Sequence, residues 1–408
     1  MDRSTSSPQV PRAAPLGRAA WFATIAGLCA SLVSIGFARF AYTPLIPPLI
    51  EAHWFSASDT VALGAANYAG YFAGALLGRP LATALSNRLA LRLLMVVASI
   101  AFFACAYPLS VAWFFVWRFL SGVAGGAIMV LVATTILPHV PAARRGFVSG
   151  MIFLGLGLGI AASGTIIPGL LQFGLRETWM GLGAVSLVLT AVSWFGWPEA
   201  SPPPPPVTAS SAIGDKQSPA QKTALRILYA QYAVNALGLV PVMILLADYV
   251  ARGLGRGAHV GAFYWILYGV SAIGGPLFAG RLGDMIGFRS TYRAALLAQA
   301  IATAALAVTG NPIAIGLATI VLGMFTPGVV PVALGRINEI LPHNHHAQRV
   351  AWSWATSAFA LFQALAGYGY AFLFSHSGEN YALIFVCGAV ALIVALLLDF
   401  LVRKEANA

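Results

Sequence analysis

Residues 199–222 read Glu-Ala-Ser-Pro-Pro-Pro-Pro-Pro-Val-Thr-Ala-Ser-Ser-Ala-Ile-Gly-Asp-Lys-Gln-Ser-Pro-Ala-Gln-Lys, the one long polar break in an otherwise apolar chain. Five consecutive prolines, Pro202 to Pro206, cannot continue a helix, because each lacks an N–H and clashes with the preceding turn. The segment therefore reads as an extended linker. Before it, six apolar stretches fill residues 19–198; after it, six more occupy residues 223–402. Each stretch is roughly 20–30 residues long, enough to cross a ~30 Å hydrocarbon layer as a helix. The expected fold is an all-α membrane protein with twelve transmembrane helices in two pseudo-symmetric six-helix bundles. Residues 1–18 and 403–408 are short tails.

Composition excludes a soluble protein. The 408 residues are 59% hydrophobic and 9% charged, with a mean hydropathy of +0.82, far more apolar surface than a water-soluble fold could hide. The first apolar stretch is too long for a signal-peptide core, so no cleavable leader is expected. A net charge of +11 would suit nucleic acid, but the basic residues cluster at span ends rather than on one polar face. The expected partners are the lipid bilayer and a small molecule, with no nucleic acid, and a monomer is expected. Cys29, Cys105 and Cys387 all fall inside spans, which argues against a disulfide framework or a metal site.

Charge placement sets the topology, since Lys and Arg near span ends are retained in the cytoplasm. The termini and even-numbered gaps hold eighteen basic residues, against Arg176, Arg252 and Arg256 in the odd-numbered gaps. A multi-pass protein of the cell (inner) membrane with both termini cytoplasmic is expected. Only Arg39 and Arg118 lie within spans.

The halves echo each other. Ile136-Leu137-Pro138-His139 ends the fourth span and Ile340-Leu341-Pro342-His343 the tenth, with an arginine six residues after each histidine. Gly78-Arg79 leaves the second span and Gly280-Arg281 the eighth. A duplicated bundle accounts for both.

Gly280-Arg281-Leu282-Gly283-Asp284-Met285-Ile286-Gly287-Phe288-Arg289 resembles the loop signature of the major facilitator superfamily. Arg118 followed by Gly122, Gly125 and Gly126 resembles that superfamily's fourth-span motif. The strings Gly36-Phe37-Ala38-Arg39-Phe40-Ala41-Tyr42-Thr43-Pro44 and Ala66-Asn67-Tyr68-Ala69-Gly70-Tyr71 resemble the YbfB/YjiJ-like subgroup. The resemblance implies the major facilitator fold, a secondary transport role without a catalytic centre, and a central cavity lined by spans 1 and 4. It also implies that Asp284 helps to lock the inner gate, with Arg281, Arg336 and Glu339 beside it. The first-half copy, Gly78 to Arg88, has no acidic residue, so only the second copy can do this.

An arginine inside a membrane costs ~2.5–3.5 kcal/mol on insertion scales and marks a functional site by default. At ~1.5 Å per residue, Arg39 and Arg118 fall at similar depth, in the outer half. No carboxylate lies mid-span to neutralise them, so the cavity should favour an anion. For Arg118 the competing reading is helix packing or proton handling; for Arg39 it is a hydrogen bond to carbonyls near Pro44 and Pro47. Tyr42, Asn67, Tyr68 and Tyr71 are candidate contacts from the first half. Tyr232, Asn235, Trp265, Tyr268, Trp354 and Gln363 are candidates from the second. Aromatic walls with a few polar groups bind organic molecules, although Trp and Tyr also pack helices. Gly157-Leu158-Gly159-Ile160-Ala161-Ala162 matches a nucleotide fingerprint only on paper, because it sits inside a span with no strand before it. His343, His345 and His346 read as a solvated loop. The expected cargo is a small organic anion such as a carboxylate, carried with or without a proton from a proton gradient and with no cofactor. Efflux of amphipathic compounds is the alternative.

Overall fold

The computed structural model describes residues 16–141, 144–199, 218–342 and 344–401. The terminal tails, most of the proline-rich linker and His343 lie outside them, as do the side chains of His345 and His346. Among the described residues there is no strand, and twelve long helices carry the fold. The first half comprises α1 (Arg18–Glu51), α2 (Ala57–Leu85), α3 (Asn87–Cys105), α4 (Val111–Ile136), α5 (Arg145–Leu171) and α6 (Leu175–Ser193). The second comprises α7 (Pro219–Asp248), α8 (Ala258–Ile286), α9 (Phe288–Val308), α10 (Pro312–Ile340), α11 (His345–His376) and α12 (Tyr381–Leu398). Ten of the twelve are long and apolar enough to cross a membrane. The other two are α2, rich in small and polar residues, and α6, which opens with Arg176 and Glu177.

One boundary shifts. Residues 219–222, assigned above to the linker, form the first turn of α7. Ser218 and Gln221 make a reciprocal capping box, with Pro219 at the first helical position. These are the residue types that satisfy the free N–H groups of a helix start, so the helix begins as soon as they occur.

Side chains at membrane depth have no water to compete for, so helices associate through close packing of small residues. In the first half Gly70 and Gly74 of α2 face the backbone of Phe119 and Val123 on α4. Reciprocally, Gly122 and Gly126 of α4 face the backbone of Asn67 and Tyr71 on α2. The second half repeats the device, with Gly275 of α8 against Met324 and Gly323 of α10 against Tyr268. A second duplicated feature ties the third helix of each half to the chain after the sixth. Arg88 pairs with Glu199 at 3.2 Å, and Arg289 pairs with Asp399 at 3.0 Å.

The two halves meet at the end opposite the termini. In α1, residues 33–47 are buried without interruption, and so are residues 238–251 of α7 and the turn after it. A helix buried on every side lies in a core, so these segments are enclosed by the two halves together. Thr43 Oγ1 donates to the Met243 carbonyl across this junction at 2.6 Å. Gly164 of α5 abuts Ile266 of α8, Gly269 of α8 abuts Ala161, and Gly367 of α11 abuts Ala65 and Tyr68 of α2. Toward the termini the same central helices open. Along one stripe of α7, Arg226 and Ala230 are exposed, Val234 and Leu237 half-buried and Pro241 buried. In α1 the stripe Trp21, Ile25, Leu28, Leu32, Ile35 fades likewise, as does Asn338, Leu334, Pro331, Pro327, Gly323 in α10. Such gradients describe a cleft open at the termini end and sealed at the far end.

Candidate functional site

The site begins with a defect in α1. Its α-helix passes at Leu32–Phe37 into a π-helical turn, resumes over Ala38–Phe40, and tightens to a 3-10 turn at Thr43–Leu45. Pro44 and Pro47 withhold N–H groups from this stretch, so regular i to i−4 bonding cannot run through it. Irregular backbone at membrane depth needs partners from neighbouring helices, and Arg118 and Asn67 supply them. Arg118 Nη1 donates to the Ala38 carbonyl at 2.6 Å. Asn67 Nδ2 reaches the same carbonyl at 3.3 Å and Ser121 Oγ at 3.0 Å.

This separates the two intramembrane arginines. They do lie at one depth, since Arg118 is bonded to the residue preceding Arg39. Arg118, however, points into the first half. Its guanidinium lies 4.2 Å from the Tyr42 ring centroid, and Ala38, Phe102, Cys105, Ser121 and Trp179 share a small void of about 10 Å³ with it. Tyr42 thus sits under Arg118 rather than beside Arg39, and its hydroxyl donates to the Thr60 carbonyl at 2.7 Å. Arg39 makes no hydrogen bond to the carbonyls near Pro44 and Pro47 among the described residues, while Arg118 binds a carbonyl six residues before Pro44.

Arg39 is 9% exposed and faces aromatic rings. Its guanidinium carbon lies 4.5 Å from the Tyr68 centroid, 4.9 Å from Tyr71 and 5.6 Å from Phe40. Its Nε and Nη2 are buried with no hydrogen-bond partner among the described residues. Phe40 in turn meets Trp265 of the other half at 6.2 Å. Trp265 stacks on Tyr268 at 5.0 Å and an interplanar angle of 3°. Trp265 Nε1 donates to Ser163 Oγ of α5 at 3.1 Å, a second hydrogen bond between the halves. Tyr268 donates to Thr326 Oγ1 at 2.6 Å and lies within electrostatic range of Arg39 and Tyr68.

The remaining second-half candidates divide. Tyr232 packs on Phe359 at 4.6 Å and lies within electrostatic range of Tyr71. Gln363 is buried, with Nε2 3.6 Å from Met243 Sδ and Oε1 unpartnered. Asn235 is not brought to the site: it donates to Gln299 Oε1 of α9 at 3.0 Å, inside the second half. Trp354 is not either: it is 65% exposed, and among the described residues no ring contact or hydrogen bond joins it to Arg39 or the rings around it. Residue type alone does not say which face of a helix turns inward. Phe40, Thr43, Ser121 and Ser163 were missed; the signal for Ser163 was a hydroxyl within the apolar, glycine-rich run of α5.

At the termini end, Asp284 and Arg281 are exposed, and Asp284 has no partner among the described residues. Arg336 pairs with Glu339 at 3.0 Å rather than with Asp284. Glu339 Oε1 also accepts from the backbone N–H of Phe288 at 2.8 Å, so it caps the start of α9. That role suits a carboxylate, which is favoured at a helix N-terminus.

Residues 31–400 match the model of the family described as "Uncharacterised MFS-type transporter YbfB". Two similar curated proteins are the 4-hydroxybenzoate transporters PcaK of Acinetobacter baylyi and of Pseudomonas aeruginosa. The first is 30% identical over 190 residues, 46% of this chain and 41% of the relative. The second is 28% identical over 193 residues, 46% of this chain and 42% of the relative. The chain thus spans about two fifths of the length of the curated relatives it matches. A bacterial homologue of the human lysosomal transporter Spinster superposes with a TM-score of 0.77 at 14% identity, covering 95% of this chain and 98% of that one. A D-xylose-proton symporter gives 0.70 at 17% identity, covering 95% and 97%. The two-bundle architecture is therefore that of major facilitator transporters, multi-pass membrane proteins that are not enzymes, and this chain belongs to their YbfB-type family.

Proposed function

We propose that this transporter carries a small organic anion, an aromatic carboxylate in the first instance, by alternating access around Arg39. The observation that carries the reading is a guanidinium nine-tenths buried, with two N–H-bearing atoms unpartnered and aromatic rings on its flanks. A buried charge without a counter-charge is unstable by several kcal/mol, and a carboxylate guest would relieve that. Guanidinium offers paired N–H donors that match a carboxylate, which an ammonium cannot reproduce. Tyr68 and Tyr71 on one half, and Tyr268 with Trp265 on the other, supply faces for an aromatic ring. The names of the partial relatives, 4-hydroxybenzoate transporters, suit the same chemistry. The protein acts as a monomer in the inner membrane and needs no cofactor. With both termini cytoplasmic, the cleft opens inward here.

Uptake of labelled 4-hydroxybenzoate and other carboxylates into proteoliposomes tests this. Arg39→Ala should abolish transport, and Arg39→Lys should lower it strongly despite keeping the charge. Normal transport by Arg39→Ala, or carriage of neutral and cationic compounds only, refutes the anion reading and moves efflux of amphipathic compounds to the front.

A further inference from the structure

Resting on that reading, we infer that the protein is an anion exchanger: it crosses the membrane readily when loaded and poorly when empty. Two facts about charge carry this. The first is Arg39 itself, with Nε and Nη2 buried and unpartnered. The rings of Tyr68, Tyr71 and Phe40 attract it, but a ring quadrupole carries no net charge and cannot neutralise a cation. The second is what surrounds it. Among the described residues, every acidic residue and every histidine lies in a loop or near the end of a helix. Asp248, the single acid of α7 and its last residue, is already held by Arg252 Nε at 2.6 Å and by the Tyr381 hydroxyl at 2.6 Å. The other charged group facing this part of α1 is Arg118, of the same sign and committed to the Ala38 carbonyl. Among the described residues no carboxylate or histidine lies at this depth to balance Arg39, and the ionisable groups that do face it, Tyr68, Tyr71 and Tyr268, are phenols, which carry no charge at neutral pH.

To reach the opposite state, the cleft must close over Arg39 while the far end is still sealed. Empty, this removes the last of its contact with water, since Arg39 is already 9% exposed, and leaves a bare guanidinium in a low-dielectric interior, where an uncompensated charge is penalised. Loaded, the same step encloses a neutral ion pair. The anion is thus the counter-charge for reorientation, and the return journey needs a second anion. Inward movement of one carboxylate is matched by outward movement of another, and no proton enters the cycle.

The test compares proteoliposomes preloaded with unlabelled 4-hydroxybenzoate with empty ones, both given labelled 4-hydroxybenzoate outside and no pH gradient. Preloading should accelerate initial uptake by about tenfold or more, the scale expected for sealing an unpaired charge. An acidic exterior should not restore uptake in empty vesicles. Equal rates with and without preloading, or concentrative uptake into empty vesicles driven by the pH gradient, overturn exchange and leave the anion reading standing. Absence of uptake in every arm overturns the proposed function itself. A second measurement needs no flux. In a background lacking the three native cysteines, Leu45→Cys at the sealed end is labelled with an impermeant maleimide in the absence of anion. Arg39→Gln, which removes the charge, should make labelling several-fold faster; an unchanged rate overturns the argument.

Discussion

A single methyl group at Gly122 should unseat the site without touching it. The Cβ of an alanine there would fall inside van der Waals contact of the Asn67 carbonyl oxygen, with Asn67 C and Tyr71 N each 2.9 Å away. All three are backbone atoms of α2 and cannot swing aside, so α2 and α4 must part, by about 1 Å if ordinary contact is to be regained. Overpacking of this kind costs ~1–3 kcal/mol. The offset is the ~0.5–1 kcal/mol that alanine gains over glycine inside a helix. A net loss of about 1–2 kcal/mol is expected. Gly150→Ala is the control, since nothing lies within 4 Å of its added Cβ, and it should gain rather than lose stability. Thermal unfolding of the purified variants, followed by tryptophan fluorescence, should place Gly122→Ala several degrees below Gly150→Ala. Uptake should fall with it, because the displacement carries Asn67, Tyr68 and Tyr71 away from Ala38 and Arg39. Equal melting temperatures for the two variants would show that the α2–α4 backbone contact is not the tight one described.

Other predictions address the two ends of the cleft and its orientation. Thr43→Val and Ser163→Ala each remove a hydrogen bond between the halves and should raise labelling of Leu45→Cys from the far side, the double variant most; an unchanged rate would reduce these bonds to incidental contacts. Glu339→Gln weakens both the Arg336 pair and the cap on Phe288 and should lower stability by about 1 kcal/mol, whereas Asp284→Asn, exposed in this state, should leave melting unchanged; the reverse order would restore Asp284 as the local anchor. A reporter fused after Arg403 should behave as cytoplasmic and one inserted near Gly310 as external, and either opposite result would invert the topology.

Much of this protein was legible as sequence because the bilayer imposes simple rules. A chain in hydrocarbon must satisfy its backbone within helices, so span number, the six-plus-six division and the duplicated loops follow from hydropathy and a few repeated strings. The depth of Arg39 and Arg118 was equally legible, since helical rise converts residue number into distance. Direction around the helix was not. Arg118 and Arg39 share a level yet serve different neighbours, one the Ala38 carbonyl and Tyr42, the other the rings of Tyr68, Tyr71 and Phe40. Nothing local separates them: the division follows from the π-helical turn at Leu32–Phe37 and from the glycine contacts that bring α2 and α4 together. Asn235 and Trp354 were placed at the wrong neighbours for the same reason, because an amide or an indole in an apolar helix announces a polar or bulky residue but not the face it occupies. The glycines that set those faces act through backbone contact between helices about fifty residues apart in the chain, and only the packed bundle decides which atoms meet.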